Sequence, residues 1–381
     1  MMILTDQIDT IVADAIGRRI FPGAVVLVAR GGEISHFAAY GSTMYDAIGS
    51  RPVARDTIYD IASLTKVFTA TAALCLVDRG QLDLYTPAAA YLPELRAPGI
   101  TVFQLLTHTS GLDIRLSTLR ESGRDGVLAA AYTAEPRRPP GAAVAYTNVN
   151  SLLLGEIVAR LHGASLDSAL RALVVDPLGL RDTQFCPPAG LLPRIAPTEI
   201  DESWRGGLVH GSVHDESAHA LGGVAGHAGL FSTAADLYLL CRMWLDDRRP
   251  TTDDRRPTTD HHKLCTGAPL WPPRRPTTRS PAHPFTRSLL RRETIALATI
   301  NHTRTLNMGC GLGWMIDRPG FMGSAPAGTF GHTGFTGPAL VVVPQERLII
   351  VVLSNRVYPR RRPPEHHTIT AAIVDAALRD V

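Results

Sequence analysis

At 381 residues the chain can bury a substantial core, as one large domain or as two smaller ones. Its composition, 45% hydrophobic and 19% charged with a net charge of +3, gives no basis for nucleic acid or a membrane surface as a partner. No apolar stretch reaches the ~18 residues of a membrane span. The N-terminus lacks a basic leader pattern and the five cysteines are scattered, so we expect a cytoplasmic protein with reduced thiols.

The N-terminal part predicts a helix, a hairpin and a second helix. Thr5 can cap the first helix, whose apolar residues recur at helical spacing. Apolar runs at 24–29 and 34–39, joined by a turn with two glycines, predict a β-hairpin. Residues 63–79 are apolar almost all round and stop at Gly80, which predicts a central, buried helix.

Later in the chain, helices are expected near 151–163, 165–174, 234–245 and 367–379, and strands at 339–343 and 348–353. Strands at both ends of the chain with helices between them predict an α/β (α+β) fold. In this fold an antiparallel sheet is built from both termini, is flanked by helices and carries a large helical subdomain.

We expect one domain over residues 1–381, with the sheet part at about 1–60 and 289–381 and the helical part at about 61–245. Residues 246–288 differ in composition, because the seven residues 247–253 are repeated without change at 254–260. Proline, arginine and threonine at this density predict a low-complexity surface insertion. Nucleic-acid binding by this segment is an alternative that the interleaved aspartates disfavour.

The first candidate for chemistry is Ser63-Leu64-Thr65-Lys66, at the start of the buried helix. Residues i and i+3 share a helix face, so the Lys66 amine can reach the Ser63 hydroxyl. Of the 38 basic residues only Lys66 and Lys263 are lysines, and lysine, unlike arginine, can lose its proton when buried. A serine beside a neutral amine is a candidate nucleophile, although Ser63 could also be a simple helix cap.

Two further motifs offer groups that could act together with Ser63 and Lys66. Tyr146 and Asn148, at i and i+2, can point the same way and offer a phenol for proton transfer and an amide for a substrate carbonyl. The phenol can relay a proton if nearby cationic charge lowers its pKa. Residues 331–335, Gly-His-Thr-Gly-Phe, allow close approach of a substrate backbone. They predict that the N–H groups of Phe335 and Ser63 form an oxyanion hole.

In this order the three motifs resemble those of the penicillin-recognising serine hydrolases, and Tyr-x-Asn resembles the class C β-lactamase branch. Stretches 60–66, 105–112, 177–183 and 311–314 are similar as well. The resemblance implies a serine β-lactamase/transpeptidase-like fold with Ser63, Lys66 and Tyr146 as catalytic residues. It also implies substrate binding by further residues of the second and third motifs: Asn148, His332, Thr333, Gly334 and Phe335.

His332 departs from the Lys-Thr-Gly third motif that is usual in β-lactamases and penicillin-binding proteins. A lysine there supplies a fixed positive charge for a substrate carboxylate, whereas histidine is mostly neutral at pH 7. The departure disfavours an efficient β-lactamase and is common among esterases, amidases and aminopeptidases of the family. If His332 protonation helps to bind an anion, KM for carboxylate substrates should rise between about pH 6 and 8.

Residues 213–232 resemble a subgroup that includes serine-type N-acetylmuramoyl-L-alanine amidases and a penicillin-binding-protein-like carboxypeptidase branch. Within this segment we expect His214 and Asp215 to line the cleft and shape the substrate pocket. A metal site is the alternative for its histidines and Asp215, since His210 and His214 are at i, i+4. No catalytic step requires a metal, so no metal or cofactor is predicted.

The sequence predicts a serine hydrolase that cleaves ester or amide bonds through an acyl-enzyme on Ser63. The alternative is an N-acetylmuramoyl-L-alanine amidase or a D-amino-acid peptidase or carboxypeptidase that acts on cell-wall peptides. A non-catalytic ligand-binding relative is the remaining possibility. The expected partner is a small or peptide-like substrate, with no nucleic acid and no membrane, and the sequence leaves the oligomeric state open.

Overall fold

The structure, a computed structural model, describes residues 4–45, 48–246, 289–363 and 365–379. Its α-helices are α1 (Leu4–Gly17), α2 (Thr65–Asp78), α3 (Val102–Leu106), α4 (Gly123–Thr133), α5 (Asn148–His162), α6 (Leu166–Leu170), α7 (Asp176–Leu178), α8 (Glu216–Ala220), α9 (Ala234–Asp246), α10 (Arg292–Ala298), α11 (Pro319–Met322) and α12 (His366–Arg379). Its strands are β1 (Gly23–Arg30), β2 (Glu33–Gly41), β3 (Tyr59–Asp60), β4 (Gln184–Phe185), β5 (Ile200–Asp201), β6 (Gly207–Leu208), β7 (Leu230–Ser232), β8 (Met315–Ile316), β9 (Phe330–Thr333), β10 (Ala339–Val343) and β11 (Leu348–Ser354).

The main sheet joins the two ends of the chain. Its strand order is β2-β1-β11-β10-β9-β8, and each neighbouring pair is antiparallel. The pair that joins the two ends, β1 and β11, is in register from Ala24 opposite Ser354 to Arg30 opposite Leu348. The prediction of an antiparallel sheet built from both termini is therefore confirmed.

The sheet is covered on both faces, which explains why β1 and β11 are apolar along most of their length. Successive strand residues point to opposite faces, so Val25 and Leu27 join the core shared with the helical part. Val26 and Val28 join a second core formed with α1 and α12. The helical part can therefore carry a site at the edge of a rigid, two-sided sheet.

The predicted central helix is present with a different start. Residues Ala62–Leu64 form a 3-10 turn, and α2 begins at Thr65. All residues of α2 from Thr65 to Leu76 are buried, and α5 and α6 are among the elements that pack against this helix. Its burial on all sides explains the absence of a polar face in this helix.

Three other expectations are corrected or left open. The single helix expected at 165–174 is α6 followed by a π-helical turn at Arg171–Val175 and then α7. The part expected to be mostly helix and loop also holds a small sheet of order β3-β7-β4. The predicted insertion lies outside the described residues, apart from residue 246 at the end of α9. Among the described helices, none has both the length and the hydropathy to cross a bilayer.

Candidate active site

Ser63 sits on a tight, strained turn between β3 and α2. Ala62, directly before it, has φ of 45°, a left-handed conformation that is unfavourable for a residue with a side chain. The buried Asp60 carboxylate stabilises this turn by accepting the Ala62 N–H at 2.8 Å and the His214 N–H at 2.7 Å. Asp60 therefore holds the turn at Ser63 and the loop that contains His214 (the 214 loop) together, a role that the sequence did not indicate.

Lys66 is buried in the first turn of α2, with 2% of its surface exposed. Its Nζ lies 2.8 Å from Ser63 Oγ, 3.0 Å from Asn148 Oδ1 and 3.2 Å from the His227 carbonyl oxygen. Burial lowers the pKa of Lys66 to about 7, against the opposing effect of the Asp215 charge. At neutral pH a large fraction of the molecules therefore carries an amine that can accept the Ser63 proton.

Tyr146 packs across the top of this pair. Its side chain interacts with that of Ser63, and its ring centroid lies 5.1 Å from Lys66 Nζ. The ring also contacts those of His108 and His332, with centroid distances of 4.8 and 5.9 Å. Although 37% of its surface is open to the cleft, desolvation raises the pKa of Tyr146 above its ordinary value. The condition of a lowered pKa is thus not met, and the group is a neutral phenol that can donate a proton.

Asn148 begins α5 and links Lys66 to a buried carboxylate. Its Oδ1 accepts from Lys66, and its Nδ2 donates to Asp215 Oδ2 at 3.2 Å. Burial acts to raise the pKa of Asp215, but His227 and hydrogen bonds from Ser217 and a backbone N–H outweigh it and lower the pKa. Asp215 is therefore a fixed negative charge, and the Asn148 side chain lies between it and Lys66. We refer to Ser63, Lys66, Tyr146 and Asn148 as the nucleophile cluster.

The third motif reaches the cluster at the end of β9. A Cβ on Gly334 would lie 2.7 Å from the Ile61 carbonyl oxygen, so only glycine lets this strand end approach the nucleophile turn so closely. Thr336 Oγ1 donates to the Asp60 carbonyl oxygen at 2.7 Å and fixes the same contact. Thr333 and Gly334 accordingly line the cleft beside Ser63.

His332 does not change its charge near neutral pH, in contrast to the expectation from the sequence. Burial, followed by the charge of Lys66, lowers the pKa of His332 to about 3, so its ring is neutral from pH 6 to 8. Its Nδ1 lies 2.9 Å from the Thr333 carbonyl oxygen, which places the ring proton on Nδ1. The KM change expected from His332 protonation between pH 6 and 8 therefore has no basis in this site.

Phe335 and the 214 loop form the next part of the wall. The Phe335 ring is 49% exposed and stacks on His214 with centroids 5.7 Å apart. His214 is buried and lies 2.7 Å from Glu199 Oε2, while Asp215 lies beside it in the same cleft. That the Phe335 and Ser63 N–H groups form the oxyanion hole stays a prediction.

The predicted site residues other than Lys66 and His332 line one cleft of about 700 Å³ between the sheet and the helical part; those two lie directly behind it. Several lining or supporting residues were not singled out from the sequence: His108, Arg356, Arg361, His366 and His367. His227, considered from the sequence only as a metal ligand, contacts Lys66 through its carbonyl oxygen. His108 lies in a stretch that resembles the family, so its position was a usable signal. Arg356 had no such signal.

The histidines considered for a metal point to separate partners. His210 Nε2 contacts two backbone carbonyl oxygens, and the His219 ring packs against Trp204. His227 Nε2 lies 3.2 Å from Asp215 Oδ1. Among the described residues no three metal-ligating side chains converge.

The sequence profile of the Beta-lactamase family matches residues 8–374, almost the whole chain. The chain belongs to the beta-lactamase family. It is a serine hydrolase with the β-lactamase/transpeptidase-like fold, in agreement with the sequence-based prediction.

Its relatives include enzymes named for cell-wall substrates. N-acetylmuramyl-L-alanine amidase from Bacillus subtilis (strain 168) is 30% identical over 91% of this chain and 80% of that protein. A protein from Escherichia coli (strain K12), provisionally named D-alanyl-D-alanine carboxypeptidase, is 28% identical over 88% of this chain and 79% of its own length. The beta-lactamase from Sulfitobacter sp. EE-36 shares the fold, with a TM-score of 0.73 at 24% identity, covering 99% of this chain and 98% of that one.

Proposed function

We propose that Ser63 attacks an amide or ester carbonyl and forms an acyl-enzyme, with Lys66 as its general base. The observation that carries this proposal is the buried Lys66 amine, with a pKa of about 7, at 2.8 Å from the Ser63 hydroxyl oxygen. Serine is a weak nucleophile unless a neighbouring base takes its proton, and this lysine is the neighbouring group able to do so.

The reaction divides into two halves with a balanced proton count. Lys66 takes the Ser63 proton as Oγ bonds to the carbonyl carbon, and the oxyanion is held by the N–H groups of Ser63 and Phe335. Tyr146 gives its proton to the leaving amine or alcohol and is reprotonated by the Lys66 ammonium. Water then attacks the acyl group and gives its proton to Lys66. As the bond between the acyl carbon and Ser63 Oγ breaks and the acid is released, the Lys66 ammonium returns this proton to Oγ and restores the hydroxyl.

The remaining residues of the site orient the substrate. Asn148, which already donates to Asp215, can turn its amide toward the substrate carbonyl, and Thr333 and Gly334 offer an exposed strand end to the substrate backbone. Neutral His332 holds the strand end through its bond to the Thr333 carbonyl oxygen and contributes no charge. We therefore assign it positioning, with His214 and Asp215 shaping the pocket wall.

As substrates we propose the amide bonds of cell-wall peptide fragments, with N-acetylmuramoyl-L-alanine compounds first. Support comes from the Bacillus subtilis amidase, which is 30% identical over most of both chains. The four cysteines in the described residues are unpaired, which favours the cytoplasm as the place of the reaction. The proposed role is then the breakdown of muropeptides taken into the cell.

The chemistry is tested by labelling with a fluorophosphonate and by hydrolysis of 4-nitrophenyl acetate. We expect mass added at Ser63 and loss of both label and turnover in Ser63→Ala. Ser117→Ala, which removes another cleft-lining serine, is the matched control and should keep both. Labelling that persists in Ser63→Ala would refute Ser63 as the nucleophile.

The substrate is tested with a panel of N-acetylmuramoyl-L-alanyl peptides, D-alanyl-D-alanine peptides, a simple ester and a β-lactam. We expect turnover of the muramoyl amide and only poor turnover of the β-lactam. Turnover of esters alone refutes the cell-wall assignment but leaves the acyl-enzyme intact. Acylation that never turns over would instead indicate the ligand-binding relative considered above.

A further inference from the structure

A buried histidine in the loop before β7 is linked to Lys66 by two separate routes. The carbonyl oxygen of His227 accepts from Lys66 Nζ at 3.2 Å. Its Nε2 lies 3.2 Å from Asp215 Oδ1, and Asp215 is in turn linked to Lys66 through the Asn148 amide. These contacts form a hydrogen-bond cycle that leaves the lysine amine through two side chains and returns through the backbone of His227.

The contacts of Asp215 show where the imidazole proton lies. Asp215 Oδ1 accepts from Ser217 Oγ at 2.6 Å and from the Ala218 N–H at 2.9 Å. Because the pKa of Asp215 is lowered, its carboxylate is ionised and can only accept. A bare nitrogen beside this oxygen would place two lone pairs against each other, so His227 Nε2 carries a proton and donates it to Asp215.

The burial of His227 indicates that this contact is the reason for a histidine here. None of its surface is exposed, and its Nδ1 has no partner among the described residues. A side chain that only filled space would be more favourable without a nitrogen, because an unpaired buried polar atom destabilises the protein. The imidazole is therefore best explained by its single polar contact region at Nε2.

The loop holds His227 against the helices of the nucleophile cluster. At the preceding residue, Gly226, a Cβ would lie 2.1 Å from the Ser151 carbonyl oxygen of α5, so only glycine fits. The Gly226 carbonyl oxygen accepts from Thr69 Oγ1 of α2 at 2.9 Å. The imidazole is thus fixed relative to both α2 and α5, and Asp215 is held by a support that does not move with the 214 loop.

Asp215 is also the charge that acts on Lys66. It opposes the effect of burial on the Lys66 pKa. Within the described residues, the other titratable side chains that face the amine are Tyr146, His108 and His332. They are uncharged near pH 7, because burial raises the pKa of the phenol and lowers the pKa of each imidazole to about 3. A donor that binds the Asp215 carboxylate therefore weakens the one charge that favours the ammonium.

We propose that His227 is a positioning residue, whose imidazole N–H holds the Asp215 carboxylate and keeps the Lys66 amine able to act as a base. Its carbonyl oxygen fixes the direction of the same amine. Without the N–H, more of the carboxylate charge acts through Asn148 on the lysine, so the pKa of Lys66 should rise. This inference rests on the proposed function and adds the residue that sets the pH range of its base.

The pKa of Lys66 can be measured directly, because the chain has only one other lysine, Lys263. Protein labelled with ¹³C at the lysine Cε is titrated by NMR, and Lys66→Arg identifies the Lys66 signal. In His227→Leu we expect this pKa to rise by about 0.5 or more, since a hydrogen bond to a carboxylate is lost. An unchanged or lower pKa overturns the proposal.

Two comparisons separate positioning from structural support. In Asp215→Asn the charge is gone, so adding His227→Leu should leave the Lys66 pKa where Asp215→Asn alone places it. His36→Leu, which removes another buried histidine from β2, should lower Tm without moving the pKa. A comparable rise in His36→Leu, or a full rise that persists without the Asp215 charge, contradicts the role of His227.

Two amide variants test the same point if His227→Leu does not fold. His227→Gln brings an amide N–H to about the position of Nε2 and should keep the wild-type pKa of Lys66. His227→Asn reaches only to about the position of Nδ1, which has no partner, and should raise it. The same pKa in both variants overturns the proposal.

The NMR titration needs no turnover, so it separates this inference from the proposed function. If Ser63→Ala keeps its activity, the acyl-enzyme on Ser63 is refuted, yet a raised pKa in His227→Leu still supports positioning. If Ser63 is labelled but the pKa does not move, the proposed function stands and this inference fails. In active variants the midpoint of the kcat/KM profile should follow the Lys66 pKa.

Discussion

The two sides of the cleft treat buried polar groups in opposite ways. In the nucleophile cluster, Lys66 has three oxygen acceptors and Asn148 has a partner on each side of its amide. Across the cleft, Arg356 has an unpaired Nε and His366 has no partner at either ring nitrogen. Paired groups are oriented before a substrate arrives, while unpaired groups gain their partner from it.

This difference separates chemistry from selection. The nucleophile cluster needs its geometry in the free enzyme, because reorganisation during the reaction would raise the barrier. The unpaired groups across the cleft can discriminate between ligands, since a ligand that supplies no partner leaves them unsatisfied. Each prediction below tests one side of this contrast.

The largest expected effect comes from removing the base. Lys66→Met should lower kcat/KM for 4-nitrophenyl acetate by about 10³- to 10⁴-fold, because no neighbouring group can take the Ser63 proton. Lys66→Arg keeps the positive charge but cannot deprotonate, and we expect a similar loss. Wild-type activity in Lys66→Arg would contradict the role of general base. Thermal melts should show that both variants stay folded.

A smaller effect is expected at the phenol. Tyr146→Phe removes the proton given to the leaving group, so hydrolysis of an anilide should fall by about 10²-fold. Hydrolysis of the 4-nitrophenyl ester should fall less, since nitrophenolate leaves without a proton. The two rates, measured on one protein preparation, give the comparison. Equal losses would place Tyr146 in the attack step instead.

The pH profile tests the electrostatic setting of the cluster. Because only the neutral Lys66 amine accepts the proton, kcat/KM should rise as the pH increases through about 7 and level off above it. The Asp215 charge favours the ammonium, so Asp215→Asn should move the midpoint to lower pH. Ser217→Ala removes one hydrogen bond to the same carboxylate but keeps its charge, and it should move the midpoint less. A shift of Asp215→Asn to higher pH would contradict this account.

The smallest effect is expected for the pH dependence of substrate preference, which should be absent between pH 6 and 8. Between pH 6 and 8 His332 stays neutral, with a pKa of about 3, and Arg356 stays charged, with a pKa of about 10. The ratio of KM for a charged ester to KM for its neutral partner should therefore be flat over this range. A ratio that rises with pH in the wild type and is flat in His332→Gln would show that His332 titrates after all.

Much of the architecture follows from local sequence patterns. The apolar runs that form β1, β10 and β11 and the turn between β1 and β2 are visible without tertiary information, because they depend on continuous apolar segments of strand length and on glycine conformation. The interrupted helix after residue 165 was missed, since the π-helical turn at Arg171–Val175 keeps the same apolar spacing as a continuous helix.

The sequence by itself predicted the chemistry that we propose for Ser63 and Lys66, because residues at i and i+3 of a helical segment lie on one face. Only the tertiary structure decided how these groups are charged. Desolvation, which lowers the pKa of Lys66 and raises that of Tyr146, depends on segments far away in the chain, such as the His227 carbonyl. Likewise, nothing in the sequence indicated that Arg356 is a buried arginine whose Nε has no partner among the described residues. Burial and pairing are properties of packed neighbours, and local spacing does not specify them.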